Sequence, residues 1–291
     1  MSHLYGFAGL GQMGGPIAEH ISNFAPPLHV YDKAGTVSLA PKSSTICKSL
    51  KELALKAETL FLSLPDGTAS LSVVKEIASF TKRQTQTIID LSTIGPDAAR
   101  AAKNICTKAQ LQYIDAPVSG GALGAKNATI TIMWAGSYET MVANKKVLEA
   151  FSKNQFHIGD HPGQAQSVKI LNNFLSGTAM AATSEAILYG LSQGIEMGKM
   201  LEVINVSTGQ NTASRDKFPQ RILTGTFDAG FKTELLAKDI RLYLENARNA
   251  GTPKRVSQTI SEIWNQCEEA LPGSDFTRIY EFIRQNSPQN N

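Results

Sequence analysis

The sequence predicts an α/β protein: a doubly wound sheet in the N-terminal half, then an all-helical C-terminal domain, the two joined by a long helix. Short apolar runs alternate with helical patterns in the first half, and the runs are apolar throughout, as in a parallel sheet covered on both faces. Past His161 and Pro162 the strand-like runs cease. There "QSVKILNNFLSGTAMAATSEAILYGLSQG" reads as one uninterrupted helix.

In chain order, "HLYGFAGL" is a strand, a helix opens near Met13, and "PLHVYD" is the second strand. A helix over Leu50 to Ala57 leads to the strand "ETLFLSLP", and a helix after Thr68 leads to "QTIIDLST". Further strands are expected at "LQYIDAPV", "ATITIMWAG" and "NQFHIG", which places the domain boundary at residue 162 and divides the chain into 1–162 and 163–291. Shorter helical patterns then run to about Ile283, and the polar tail "RQNSPQNN" is expected to be disordered.

At 291 residues, 42% hydrophobic and 18% charged, the chain has the balance of a globular protein with a sizeable core. Its net charge of +3 is spread thinly, with no basic run interleaved with aromatics, so nucleic acid is not an expected partner. Cys47, Cys106 and Cys267 are odd in number and far apart, and the five histidines have no ligand spacing. Neither a disulfide framework nor a metal site is expected, and a reducing cytoplasm fits. Met1, Ser2 and His3 lead straight into the first strand without a signal-peptide pattern, and no apolar run is long enough for a bilayer, so no membrane partner is expected.

"GLGQMGGPIA" supplies Gly9, Gly11 and Gly14 in GxGxxG spacing after a strand, with Gln12 and Met13 completing the turn into a helix. Such a loop lets the backbone approach a pyrophosphate at a helix N-terminus. Asp32 closes the next strand, where a carboxylate accepts hydrogen bonds from the adenosine ribose hydroxyls. This order of strand, loop, helix, strand and acid is that of a Rossmann-type domain, and it predicts NAD; Lys33 beside Asp32 leaves NADP open.

The run "GQAQSVKILNNFLSG" places Lys169, Asn172, Asn173 and Ser176 on one helical face. A solvated stripe and a functional lysine are both compatible with that spacing. "DAPVSGG" sets Ser119, Gly120 and Gly121 after a strand, where free backbone N–H groups can cradle an anion, or simply form a tight turn.

With these motifs and "KDIRL" in this order, the sequence resembles the β-hydroxyacid dehydrogenases, the family of 3-hydroxyisobutyrate dehydrogenase, with 6-phosphogluconate dehydrogenase a larger cousin. The resemblance spans nearly the whole chain. It implies that Lys169 is the acid/base, that Asn173 holds the substrate with Asn172 beside it, and that Ser119, Gly120 and Gly121 bind its carboxylate. It also implies cofactor contacts at Leu64, Pro65, Thr93 and Lys238; Phe231, in the same segment as Lys238, is a further candidate for the pocket lining. Without the family, Leu64, Pro65 and Thr93 would read as a turn and a strand end, and Lys238 with Asp239 as a surface ion pair. Ala69, Asn127, Trp134 and Ala165 depart from the family pattern.

The expected reaction is oxidation of a small 3-hydroxy acid, 3-hydroxyisobutyrate-like, to its semialdehyde, with hydride transfer to NAD and Lys169 taking the hydroxyl proton. The expected assembly is a homo-oligomer, dimer or tetramer. An NADPH-dependent reductase of glyoxylate or succinic semialdehyde and a catalytically silent nucleotide-binding protein on the same fold remain the alternatives.

Overall fold

A computed structural model describes residues 3–286. The chain forms two compact units, Met1–Lys169 and Ile170–Asn291.

In the first unit β1 (Tyr5–Ala8), α1 (Gly14–Phe24), β2 (His29–Tyr31), α2 (Thr36–Leu39) and β3 (Thr45–Ile46) are followed by α3 (Leu50–Lys56), β4 (Thr59–Leu62) and α4 (Gly67–Ser79). Then come β5 (Thr87–Asp90), α5 (Pro96–Lys108), β6 (Gln112–Asp115), β7 (Val118–Ser119), α6 (Gly121–Lys126) and β8 (Ile130–Ala135). Two short helices, α7 (Tyr138–Ala143) and α8 (Lys145–Glu149), precede β9 (Ser152–Gly159).

The sheet runs β3-β2-β1-β4-β5-β6-β8-β7, with β9 paired to β8. Its apolar strands split their side chains by the two-residue period of an extended chain. Phe7, Phe61 and Ile89 pack on one face with Ile17 and Ile21 of α1. Ala8, Leu60, Leu62 and Ile88 pack on the other with Leu53, Val74, Ile77 and Ala102 of the next three long helices. Both faces being covered, β1 and β4 are buried at every position.

From β3 to β6 all pairings are parallel. The parallel sheet expected from the sequence ends there, because β8 runs antiparallel to both β6 and β7. Between β7 and β8 lie only residues 120–129, and a parallel crossover needs a dozen or more. Strand order reverses at β1 and β4, so the crevice of this unit opens at the carboxyl ends of the strands.

α9 (Gln164–Ser192) begins in the first unit and continues in the second. The second unit also contains α10 (Met197–Ile204), a π-helix over Ala213–Ile222, α11 (Thr233–Asn249), α12 (Arg255–Ala270), a short 3₁₀ turn and α13 (Ile279–Asn286). Met180, Ile187, Phe218, Ile240, Trp264 and Ile279 form its core. The tail expected to be disordered from Arg284 is helical through Asn286, and residues 287–291 lie outside the described residues.

Candidate active site

Every candidate residue of the first unit up to Ser119 stands on or just after a strand's carboxyl end. The loop Gly9–Met13 joins β1 to α1, whose N-terminus carries no side-chain cap. Gly14 is locked, since a Cβ there would stand 1.9 Å from the Gly9 carbonyl oxygen. Gly11 is different: a Cβ there would meet nothing within 4 Å. The tight glycine thus shapes the turn, while the open one leaves room for a ligand over the helix N-terminus, which fits a dinucleotide pyrophosphate.

Asp32 is half-buried at the end of β2. Its Oδ2 accepts the Leu10 N–H at 2.5 Å and its Oδ1 accepts the Ala34 N–H at 2.7 Å, so the carboxylate ties the loop to the second strand. Beyond β4, Leu64 is half-buried and Pro65 exposed. Asp66 of the same segment caps α4, accepting the Ala69 N–H at 2.8 Å, which accounts for Asp66 and the turn without a ligand. Thr93 is half-buried after β5. Ser119 is half-buried and Gly120 exposed, with Gly120 and Gly121 at φ +133° and +64°, a backbone suited to an anion cradle.

A buried polar lattice underlies these loops. Gln166, fully buried, donates from Nε2 to Asp115 Oδ1 at 2.7 Å and to the Ser92 carbonyl at 3.0 Å. Its Oε1 accepts the Ile94 and Gly95 N–H groups at 2.8 and 3.0 Å. Asp115 Oδ2 accepts the Gly163 and Gln166 N–H groups at 2.8 and 3.2 Å, capping the start of α9. Ser92 Oγ accepts the Leu64 N–H at 2.8 Å, while its own N–H reaches Asp90 at 3.0 Å. Burial pushes the Asp115 carboxyl up to about 6, outweighing the donors that lower it, and also raises Asp90.

Early in α9 two polar positions are buried while two leucines face outward. Lys169 and Asn173 are 8% and 6% exposed, while Leu171 and Leu175 are 39% and 59% exposed. The solvated-stripe reading of Lys169 is therefore wrong, although Asn172 of the same face is exposed.

Within the second unit, Asn173 Nδ2 donates to Asp239 Oδ2 at 2.6 Å, and Asn172 Nδ2 donates to Asn173 Oδ1 at 3.2 Å. Lys238 Nζ approaches Asp239 Oδ1 at 3.3 Å, an ion pair without hydrogen-bond geometry. Asp239 is 2% exposed, so the alternative reading of a plain surface ion pair does not hold for it. Asp239 thus brings Asn173 and Lys238 together. Phe231 packs edge-on against Phe276, ring centroids 5.9 Å apart, and its N–H donates to Asp275.

Residues 4–159 match the family model described as the NAD binding domain of 6-phosphogluconate dehydrogenase, and residues 163–283 that described as NAD-binding of NADP-dependent 3-hydroxyisobutyrate dehydrogenase. A 3-hydroxyisobutyrate dehydrogenase of Pseudomonas aeruginosa is 31% identical, over 96% of this chain and 97% of its own. The chain belongs to the β-hydroxyacid dehydrogenase family. The 2-(hydroxymethyl)glutarate dehydrogenase of Eubacterium barkeri is 30% identical over 89% of this chain and 87% of its own. A solved Mycobacterium tuberculosis 3-hydroxyisobutyrate dehydrogenase, with L-serine, shares the fold at a TM-score of 0.88 and 24% identity, covering 98% of this chain and 100% of that one.

This β-hydroxyacid dehydrogenase is an NAD(P)-dependent enzyme of the hydroxy-acid class. Two of its departures from the family pattern are absorbed by packing: Ala165 is buried beside Met133 and Ala135, and Trp134 is buried with its Nε1–H on the Ser137 carbonyl at 3.1 Å. Asp115, Gln166 and the burial of Asp239 are additions that the tertiary structure makes to the candidate residues. A signal existed for Asp239, which lies between Leu236 and Ile240 on the apolar side of a helix. Asp115 ends a buried strand, where polar residues border the crevice.

Proposed function

We propose that the enzyme oxidises a small 3-hydroxy acid of the 3-hydroxyisobutyrate type to its semialdehyde with NAD, Lys169 acting as the acid/base. The observation that carries this reading is the burial of Lys169 on a helix that leaves leucines exposed. A buried amine suits proton transfer at a substrate hydroxyl better than it suits a solvated surface role. Residues 1–162 form the cofactor domain in this reading and 163–291 the substrate and assembly domain.

The loop of Gly9, Gly11, Gln12, Met13 and Gly14 holds the pyrophosphate at the α1 N-terminus, and Asp32 receives the ribose hydroxyls. Leu64, Pro65, Thr93 and Lys238 flank the nicotinamide half. The bound cofactor supplies the hydride acceptor. Ser119, Gly120 and Gly121 grip the substrate carboxylate, and Phe231 borders its side chain. Lys169 accepts the proton from the hydroxyl oxygen at Nζ, while Asn173, braced by Asp239, and Asn172 orient that hydroxyl.

A screen of 3-hydroxyisobutyrate, serine and glycerate with NAD and NADP, followed at the reduced-nicotinamide absorbance, tests the reading. NAD-linked turnover of one of them is expected, and silence with all of them removes it. Asp32 favours NAD by charge repulsion with a 2′-phosphate, whereas the NADP-dependent enzymes named by the C-terminal family model favour the other arm.

The reading includes a homo-oligomer, dimer or tetramer, supported by Leu175 and Tyr189, 59% and 70% exposed on α9. Sedimentation at micromolar concentration tests it. A cytoplasmic location is supported by three buried free thiols.

A further inference from the structure

We propose that Gln166 is a positioning residue for the reaction: it sets the first turn of α9, and with it Lys169, against the loop that carries Thr93. The proposal rests on Lys169 being the acid/base. It is carried by the completeness of the Gln166 network, which uses both Nε2 protons and both acceptor positions of Oε1. The amide cannot be flipped, because two backbone N–H groups face its oxygen, and a carbonyl and a carboxylate face its nitrogen.

The other ends of these bonds are segments of the candidate site. Ser92 to Gly95 bracket Thr93, and Ser92 also holds the Leu64 N–H. Asp115 ends β6 just before the Ser119 cradle, and its second oxygen holds Gly163 and Gln166 at the helix start. One side chain thus ties two segments, Ser92–Gly95 and the end of β6 at Asp115, to a helix whose residue 169 lies three positions further on, and Ser92 extends the tie to Leu64. Any rotation of that first turn would break several buried bonds at once. The helix register, and the direction of the lysine, are held by this joint rather than by local helix propensity.

Gln166→Met keeps the volume and removes all four side-chain bonds, while Gln166→Glu keeps the acceptors and sets a carboxylate against Asp115. In both variants kcat of the folded, cofactor-saturated enzyme is expected to fall roughly 10- to 100-fold, the scale of an ångström misplacement, with the pH–rate profile displaced. The cofactor dissociation constant, set mainly at the Gly9–Gly14 loop, is expected to change less. Adding Asp115→Asn to Gln166→Glu restores a donor across the joint and is expected to recover part of the lost kcat. Amide exchange at Ile94 and Gly95 reads the joint without activity, and both amides are expected to lose protection in Gln166→Met.

Wild-type kcat and pH profile in a folded Gln166→Met enzyme would overturn the proposal, even with a lowered Tm, since that is the result for a purely structural glutamine. If Gln166→Met does not fold, Gln166→Glu and the double variant decide, and absence of rescue counts against the proposal. If the wild type turns over no hydroxy acid, the proposed function fails instead; retained protection at Ile94 and Gly95 would then overturn the joint separately.

Discussion

Asn173 donates its side-chain amide to Asp239 at 2.6 Å between two residues that are 6% and 2% exposed. The bond directs the Asn173 N–H toward α11 and leaves its oxygen facing another way, so the carboxylate decides what the asparagine presents. Asp239→Ala removes a charged acceptor from a buried donor and should destabilise the protein by about 1–3 kcal/mol. Asp239→Asn, which retains an acceptor oxygen, should lose less stability and more of the Lys238 attraction. Urea unfolding of the two variants, with kcat measured alongside, checks this; an alanine variant as stable as the wild type would contradict it.

Lys169→Ala should lower kcat by roughly 10²- to 10⁴-fold, the range for removing an acid/base. Cofactor affinity by fluorescence titration should stay nearly unchanged, because the pyrophosphate loop is formed by other residues. Lys169→Arg should recover little, since a guanidinium does not give up its proton to become a base. Turnover at the wild-type rate in the alanine variant would return the lysine to a packing role.

The two glycines of the cofactor loop should behave differently. Gly14→Ala drives a methyl to within 1.9 Å of the Gly9 carbonyl oxygen and should disrupt the β1–α1 turn, lowering Tm and cofactor affinity together. Gly11→Ala meets no protein atom within 4 Å, so Tm should hold while the cofactor dissociation constant rises, because the methyl occupies the space the pyrophosphate requires. Calorimetry and cofactor titration on both variants separate the effects. Unchanged affinity in Gly11→Ala would place the dinucleotide elsewhere.

Asp115 adds a pH dependence to stability. Its pKa is raised from 3.8 to about 6 by burial, so between those values the folded state holds more proton than the unfolded one. The associated stability is fully present below 3.8 and is lost as pH rises through about 6, a change of roughly 3 kcal/mol at most. Asp90 is shifted in the same direction, so the comparison is with Asp115→Asn. Urea midpoints at pH 4.5 and 7 should differ less in that variant than in the wild type, whatever its absolute stability. An equal difference in both would remove Asp115 as the source.

Local patterns determined much of this enzyme from sequence alone. The apolar runs at Tyr5–Ala8 and Thr59–Leu62, the glycines at 9, 11 and 14 and the long helical period after residue 163 are readable because strand burial, turn geometry and helix repeat depend on neighbours in the chain. Lys169 was legible as a candidate on the same grounds, but its burial was not: helical spacing groups residues on a face without saying which face meets the core. Packing decided that Lys169 turns inward and Leu175 outward, and that β8 reverses against β6. It also decided the partners of Gln166, whose amide oxygen meets Ile94 from 72 positions away, and of Asn173, bound to Asp239 at a separation of 66. Hydrogen bonds over such distances are formed only when the chain is folded, so the residues that brace the candidate site became visible only in the tertiary structure.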